Sequence, residues 1–237
     1  MMTDPLVDRA LAEARPVVFW LDRPEHPEPA PPLSADLEAD LVVVGGGFTG
    51  LWTAVTAAEA DPGRSIVVLE ADTVAFGASG RNGGFCDASL THGLENGIAH
   101  WPDEIDTLIR LGNENLHGLL DVVARHSIDC SPEPTGALDV AVAPWQAESL
   151  AKSAVIHEAH GRHVTLLDAA ATRAEVDSPT YLGGLWHHDG VVMLDPARLA
   201  WGLLRVAKSL GVRFFENTPA RSIEAVQGAE STTVRIR

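Results

Sequence analysis

Basic residues are scarce in this chain. Its 17 Lys and Arg are set against 33 Asp and Glu, which gives a formal net charge of −16 over 237 residues. A surface of that sign repels nucleic acids and anionic membranes, so we expect neither as a partner. Any phosphate that binds must be held by local backbone dipoles and one or two arginines.

Cysteine and long apolar runs are also scarce. The chain has two cysteines, Cys86 and Cys130, and they form no CxxC pair. That pattern is typical of reduced thiols in a cytoplasmic protein. No segment approaches the roughly 18 consecutive apolar residues of a membrane span, and the N-terminus lacks an apolar signal core. We therefore expect a cytoplasmic location.

Proline is concentrated near the N-terminus. A short helix over 4–15 is expected to stop at Pro16, and Val17–Leu21 reads as an extended apolar piece. Five of the nine residues from Pro24 to Pro32 are proline, which is typical of a stiff polyproline-like connector. We place the start of the first domain after it, near Ala35.

A strand–helix–strand unit follows within about thirty residues. The β-branched run at 41–44 predicts a parallel strand buried on both faces. A small-residue helix is predicted over 48–60 and a second buried strand over 65–69, with Glu70 directly after it. This is the length that a βαβ unit requires, and it predicts an α/β fold with a parallel sheet.

The remainder predicts further helices and strands. They are a helix over 103–126, a strand over 137–143, a helix over 145–160, a strand over 164–167, a helix from Asp195-Pro196 to Leu210, a strand over 212–215, and a hairpin of 220–226 with 232–237 about the turn Gln227-Gly228. In a doubly wound sheet the third parallel strand lies beside the second. We therefore expect 212–215 to pair with 65–69.

The connection between the first strand and the first helix is a G-x-G-x-x-G fingerprint, Gly45-x-Gly47-x-x-Gly50. Its position between a strand and a helix, with an acid 20 residues beyond Gly50, is what predicts a dinucleotide site. Gly45 permits the turn, Gly47 lets the backbone approach a pyrophosphate, and Gly50 lets the helix pack closely. Glu70 is expected to accept hydrogen bonds from the ribose hydroxyls.

The fingerprint alone does not distinguish FAD from NAD. A second glycine cluster, Ser79-Gly80-Arg81-Asn82-Gly83-Gly84, follows the second strand and offers backbone N–H groups and an arginine. Because FAD has more phosphate and ring edge to hold than NAD, a second donor loop favours FAD. The alternative that the fingerprint leaves open is an NAD-dependent dehydrogenase.

Two stretches carry a resemblance to a known family. DLVVVGGGFTGLWTA and VVLEADTVAFGASGRNGGF resemble the FAD-dependent amine oxidase superfamily of D-amino-acid, glycine and sarcosine oxidases. The chain is most similar to its γ-glutamylputrescine oxidoreductase-like branch. The resemblance implies an FAD-binding Rossmann-like domain with part of an α+β substrate domain. It implies that FAD is held by Gly45, Gly47, Phe48, Thr49, Gly50, Glu70, Ser79, Gly80, Arg81, Asn82, Gly83, Gly84 and Ala220.

The resemblance also implies a chemistry. The family oxidises a carbon–nitrogen bond of an amine or amino acid by hydride transfer to flavin. Related dimethylglycine dehydrogenases attach the flavin to a histidine in the corresponding loop, where this chain has Arg81, so we predict non-covalent FAD. No catalytic residue is assigned. The alternative function is a non-catalytic flavin-binding fragment or subunit that another chain completes.

Several weaker clusters carry no assigned role. His157, His160 and His163 lack metalloprotease spacing, so a solvated helix end is expected rather than a metal site. His187–Gly190 is expected in a loop, with substrate contact as the alternative. Cys86 is expected to pack in the core, with a place near the flavin as the alternative. Trp101 and Trp186 are expected to fill core, with a cavity wall as the alternative.

The resemblance divides the chain into four parts. They are an N-terminal extension and proline-rich linker (1–34), a first FAD-binding segment (35–95), a partial substrate domain (96–190) and a second, incomplete FAD-binding segment (191–237). The family continues with another strand and the rest of the substrate domain. We therefore expect a fragment or truncated product with low stability, weak or absent turnover, and sheet edges open to self-association.

Overall fold

The computed structural model of the chain describes residues 5–15, 17–227 and 232–237. The helices are α1 (Pro5–Leu11), α2 (Phe48–Ala60), α3 (Leu94–His100), α4 (Ile105–Arg125), α5 (Pro144–Ala159), α6 (Ala169–Glu175) and α7 (Pro196–Ser209), with a short 3-10 turn at Ala78–Gly80. The strands are β1 (Leu41–Val44), β2 (Ile66–Leu69), β3 (Phe85–Asp87), β4 (Ala137–Ala141), β5 (Val164–Asp168), β6 (Gly183–His187), β7 (Val191–Met193), β8 (Arg213–Phe215), β9 (Ile223–Gln227) and β10 (Thr232–Ile236).

These elements form two compact units. The first contains the described residues up to Asn82 and those from Pro196 onward, and the second runs from Gly83 to Asp195. No described helix is long and apolar enough to span a membrane.

A three-stranded parallel sheet lies at the centre of the first unit, in the order β1-β2-β8. Val43 is paired with Val68, which in turn is paired with Phe214. All four residues of the central strand β2 are buried, which explains its unbroken apolar sequence. The predicted α/β class with a parallel sheet is confirmed, as is the position of the third strand beside the second.

Two helices, α2 and α7, belong to the same unit as this sheet and pack against each other. The buried side of α2 is built from small or apolar residues, Gly50, Leu51, Ala54, Val55 and Ala58, and α2 packs against β1, β2 and α7. The helix α7 begins at Pro196, in agreement with the prediction of proline in the first turn.

The second unit is antiparallel. One sheet has the order β4-β6-β5 and a second pairs β3 with β7. Ala154 of α5, Val164 of β5 and Leu185 of β6 form one buried cluster. Ala88, Leu116 and Val192 form another, against which Cys86 packs, so the predicted packing role of Cys86 is confirmed.

Several predicted elements are wrong or incomplete. Residues 19–21 form a turn, so the extended piece predicted at Val17–Leu21 is incorrect. The helix α3 and the strands β6 and β7 were not predicted. The strand β6 begins with two glycines, and because glycine is disfavoured in strands, its sequence does not read as a strand. The predicted C-terminal hairpin is confirmed by β9 and β10, although Gly228 of its turn lies outside the described residues.

Candidate functional site

The β1–α2 turn brings the fingerprint glycines together at the end of the parallel sheet. Gly45 has φ +103°, a backbone conformation that glycine adopts without strain, and its N–H donates to the carbonyl of Leu69 at 2.8 Å. A Cβ on Gly50 would overlap the carbonyl oxygen of Gly45 and lie 3.1 Å from Cγ1 of Val43. The turn and the close approach of α2 therefore both depend on glycine.

The N-terminus of α2 faces the second glycine loop. Gly47 is the N-cap residue and so has no side chain to cap the helix. The N–H of Phe48 donates to Oγ of Ser79 at 2.9 Å. In the part of the chain that the structure describes, leaving out chain neighbours and the backbone of α2 itself, that hydroxyl is the only atom within 4 Å of a Cβ placed on Gly47. Since the backbone N–H groups and the dipole of a helix N-terminus favour anions, the turn suits a phosphate group beside a serine hydroxyl.

Glu70 extends from the end of β2 towards the same turn. Its Oε2 accepts a hydrogen bond from the N–H of Gly46 at 2.6 Å, and its Oε1 accepts one from the N–H of Asp72 at 2.8 Å. The side chain is half-buried. An ionised carboxylate has about four acceptor positions, so Glu70 retains capacity for a sugar hydroxyl while it fixes the turn.

The loop after β2 is held mainly by its own polar groups. Asn82 donates through Nδ2 to the carbonyl oxygens of Ala78 and Ser79 at 3.1 and 2.8 Å. Arg81 donates through Nε to the carbonyl of Phe76 at 2.6 Å, and its guanidinium lies 4.5 Å from the Phe76 ring centroid. Arg81 is exposed and bound to its own loop.

The remaining predicted site residues lie in different places. Thr49 is exposed in the first turn of α2. Gly83 and Gly84 begin the second unit, where the carbonyl of Gly84 accepts from the N–H of Leu194 at 2.9 Å. Ala220 is half-buried in the segment after β8. Within that segment the N–H of Thr218 donates to the carbonyl of Glu70 at 2.8 Å.

Sequence reasoning missed a second acid beside this site. Glu216 is 3% exposed, and its carboxylate accepts hydrogen bonds from the N–H groups of Ala30 and Val74, the latter at 2.7 Å. The sequence did contain a signal, since Glu216 follows the strand β8 as Glu70 follows β2. It also missed Trp20, whose indole Nε1 donates to the carbonyl of Asn82 at 2.8 Å.

The second unit contains a cavity of about 230 Å³ with several titratable groups in its wall. Nε2 of His157 lies 3.8 Å from a carboxylate oxygen of Glu95, and its ring centroid lies 4.7 Å from that of His187. Nε2 of His187 lies 3.2 Å from Oδ2 of Asp139. Arg162 lies in the same wall.

Burial and hydrogen bonding alter proton affinities in this cavity wall. Burial lowers the pKa of His157, and the neighbouring His187 lowers it further. The hydrogen bond from His187 lowers the pKa of Asp139. In the β3–β7 region, burial raises the pKa of Cys86, so its thiol is the neutral form at pH 7.

Three expectations for this unit need correction. The His157 side chain is only 12% exposed, so it does not belong to a solvated helix end. His187 lies in β6, not in a loop, and β7 follows it before α7. Trp101 is 45% exposed and therefore does not fill core. In the described residues, no group of three or more His, Cys, Asp or Glu is arranged to hold a metal ion.

Comparisons with known proteins agree with this geometry. A family model described as FAD dependent oxidoreductase matches residues 40–237. Gamma-glutamylputrescine oxidoreductase of Escherichia coli (strain K12) is 35% identical over 207 residues, which cover 86% of this chain and 47% of that protein. Probable oxidoreductase OrdL of Haemophilus influenzae is 29% identical, with 85% and 46% covered. The chain thus spans about half the length of these curated relatives.

Solved structures share the fold. Glycine oxidase from Geobacillus kaustophilus superposes with a TM-score of 0.65 at 20% identity, covering 78% of this chain and 48% of that chain. L-amino acid deaminase from Proteus vulgaris, with its specific insertion deleted, gives a TM-score of 0.63 at 20% identity, covering 86% and 51%.

Proposed function

Because the chain belongs to the family of FAD-dependent oxidoreductases, we propose that its first unit binds FAD without a covalent bond. We further propose that the protein oxidises a carbon–nitrogen bond in a small amine or amino acid. The observation that carries the proposal is the convergence of Gly47, Ser79 and Glu70 on the N-terminus of α2. FAD, when bound, supplies the acceptor for the two electrons of the oxidation.

The backbone of the turn is open at two positions. Among the described residues, leaving out chain neighbours, a Cβ on Gly45 would meet no atom within 4 Å, and one on Gly47 would meet only the Ser79 hydroxyl. No apolar side chain therefore fills the approach to the backbone at these two positions. The N–H of Gly47 would be directed at a phosphate oxygen. Ser79, whose Oγ already accepts from the N–H of Phe48, would donate its hydroxyl proton, and Glu70 would accept from the adjacent ribose.

The remaining predicted contacts belong to the same proposal. Thr49, Gly50, Gly80, Arg81, Asn82, Gly83, Gly84 and Ala220 would complete the FAD site. The loop 77–84 contains no histidine, cysteine or tyrosine, so it lacks the side chains that could attach a flavin covalently. This supports non-covalent binding, which would release all flavin into the supernatant on acid precipitation.

The substrate class rests on the relatives. By their names, gamma-glutamylputrescine oxidoreductase acts on γ-glutamylputrescine and glycine oxidase acts on glycine. Both compounds carry a carbon–nitrogen bond that flavin can oxidise. A cytoplasmic location is part of the proposal and is supported by the free thiols of Cys86 and Cys130.

The decisive experiment is an FAD titration of the purified chain, followed by flavin fluorescence. Gly47→Ala is the test variant because its φ of −81° accepts any residue, while the added methyl group lies where the diphosphate must approach. We expect FAD affinity to fall at least about tenfold, or about 1.4 kcal/mol. Gly118→Ala is the matched control, since a Cβ there meets no atom of the described residues within 4 Å.

NAD is titrated in parallel, and reduction of bound flavin is followed with a panel of amines and amino acids. No FAD binding, or NAD binding with dehydrogenase activity, overturns the proposal.

A second candidate function, a flavin-binding subunit completed by another chain, is supported by the exposure of β1. This strand is one of the two edge strands of the described sheet, and Val42 and Val44 are 36% and 49% exposed. FAD binding without turnover on any substrate would favour that candidate.

A further inference from the structure

The segment before β1 is attached to the first unit at two places. We refer to residues 19–33 as the N-terminal strap. Although the sequence predicts a linker here, strap residues form hydrogen bonds with residues 62 and 186 positions away. Contacts of that sequence separation are typical of an integrated part of a domain and not of a connector.

The first attachment is to the second glycine loop. The indole Nε1 of Trp20 donates to the carbonyl of Asn82 at 2.8 Å. Next to it, a Cβ placed on Gly80 would lie 2.9 Å from Cδ2 of Leu21, so Leu21 packs directly on the backbone of the loop. The guanidinium of Arg23 lies 5.4 Å from the Trp20 ring centroid, a cation–π distance that orients the indole.

The second attachment is to the segment after β8. The N–H of Ala30 donates to the buried carboxylate of Glu216, and the N–H of Leu33 donates to Oγ1 of Thr218 at 3.0 Å. Thr218 in turn donates its N–H to the carbonyl of Glu70. The strap is therefore anchored beside Glu70 as well as at the loop.

A short series of hydrogen bonds connects Trp20 with the helix N-terminus. Trp20 fixes the carbonyl of Asn82, and the Asn82 side chain donates to the carbonyl of Ser79 at 2.8 Å. The Ser79 hydroxyl accepts from the N–H of Phe48 at 2.9 Å. The glycine-rich loop has high conformational freedom when it is free, so ordering it before the ligand arrives lowers the cost of binding.

We propose that Trp20 is a positioning residue of the cofactor site. Through Asn82 it holds the loop 78–82 and Ser79 in the geometry that receives a diphosphate, which makes the N-terminal strap part of the site. This inference rests on the proposed FAD binding. Trp20 itself is not placed in contact with the cofactor.

Trp20→Phe tests the proposal because it keeps an aromatic ring beside Arg23 and removes the N–H donor. We expect FAD to dissociate about two- to tenfold faster, the range that the loss of one hydrogen bond implies. Amide hydrogen exchange at residues 78–82 of the FAD-free chain should also become faster. Trp145→Phe is the matched control, since Trp145 is 67% exposed and belongs to the second unit.

A double variant, Trp20→Phe with Ser79→Ala, separates positioning from general destabilisation. If Trp20 acts through the loop, the effects on FAD dissociation are less than additive. Unchanged FAD dissociation in Trp20→Phe, or faster exchange without weaker FAD binding, overturns the inference while the proposed function stands. Failure of the unaltered chain to bind FAD overturns the proposed function and this inference together.

Discussion

Glu70 and Glu216 occupy matching positions at the carboxyl ends of two paired parallel strands. Leu69 of β2 is paired with Phe215 of β8, and the N–H of Glu70 donates to the carbonyl of Phe215 at 2.9 Å. Their environments differ, because Glu216 is 3% exposed whereas Glu70 is half-buried beside the glycine turn. We therefore expect Glu216 to act mainly on stability and Glu70 mainly on ligand binding.

Glu216→Ala should lower the free energy of unfolding by about 2–4 kcal/mol. The substitution leaves the N–H groups of Ala30 and Val74 without their acceptor, and each unsatisfied buried donor costs about 1–3 kcal/mol. Denaturant unfolding of the FAD-free chain, followed by tryptophan fluorescence, measures the change. The exposed Glu38 provides the control, and equal stability losses in Glu216→Ala and Glu38→Ala would contradict the assignment.

Glu70→Ala should weaken FAD binding by about tenfold or more, or about 1.4 kcal/mol. It removes the acceptor of the Gly46 N–H at the turn and the carboxylate expected at the ribose. Its effect on unfolding should be smaller than that of Glu216→Ala, because Asp72, one of the two residues whose N–H it releases, is half-buried, whereas Ala30 and Val74 are both buried. FAD titration of both variants checks the order. The assignment is wrong if Glu70→Ala binds FAD as tightly as the unaltered chain.

Alanine at two helical glycines should have opposite effects on the melting temperature. A Cβ on Gly50 overlaps the carbonyl oxygen of Gly45, so Gly50→Ala should destabilise the first unit by about 1–3 kcal/mol, as overpacking does. Gly118 is exposed on α4 with no atom within 4 Å of a Cβ. Gly118→Ala should stabilise the chain by about 0.5–1 kcal/mol through helix propensity. Thermal unfolding of both variants without FAD provides the comparison.

Local patterns allowed the parallel sheet and the phosphate turn to be predicted. The run at 41–44, the glycines at 45, 47 and 50, and the acid at 70 lie within thirty residues, so their spacing alone specifies how they meet. The three strands also follow the order that a doubly wound sheet requires. The spacing of these residues and the order of the strands depend on local sequence and on topology, and both can be read from a single sequence.

Long-range polar contacts could not be predicted in this way. Trp20 and Asn82 are 62 positions apart, and Ala30 and Glu216 are 186 apart. The proline content of the strap predicts a stiff extended segment but does not indicate what it packs against. In the second unit, β6 escaped prediction because its burial depends on pairing with both β4 and β5, which its own residues do not encode.

The wall of the second-unit cavity joins two histidines with carboxylates from different elements. His157 of α5 faces His187 of β6, Glu95 of α3, and nearby Arg162 and Asp139. Burial and the neighbouring imidazole and guanidinium lower the pKa of His157, although the two carboxylates partly oppose them. The folded unit therefore favours the neutral form of His157 more than the unfolded chain does.

Acidification should consequently destabilise the second unit through His157. Its pKa in the folded chain is lower than the ordinary value of 6.5, so below about pH 6.5 the unfolded chain binds the proton before the folded chain does. The stability contribution is thus present above pH 6.5 and is lost as the pH falls. His157→Gln removes this titration, and its melting temperature should decline less between pH 7 and pH 5 than that of the unaltered chain.

The exposed His117, replaced by Gln, serves as the control. Identical pH dependence of all three proteins would show that the His157 proton does not control stability. The lowered pKa of Asp139 acts only below its ordinary value of 3.8, so it does not contribute to the change measured in this window.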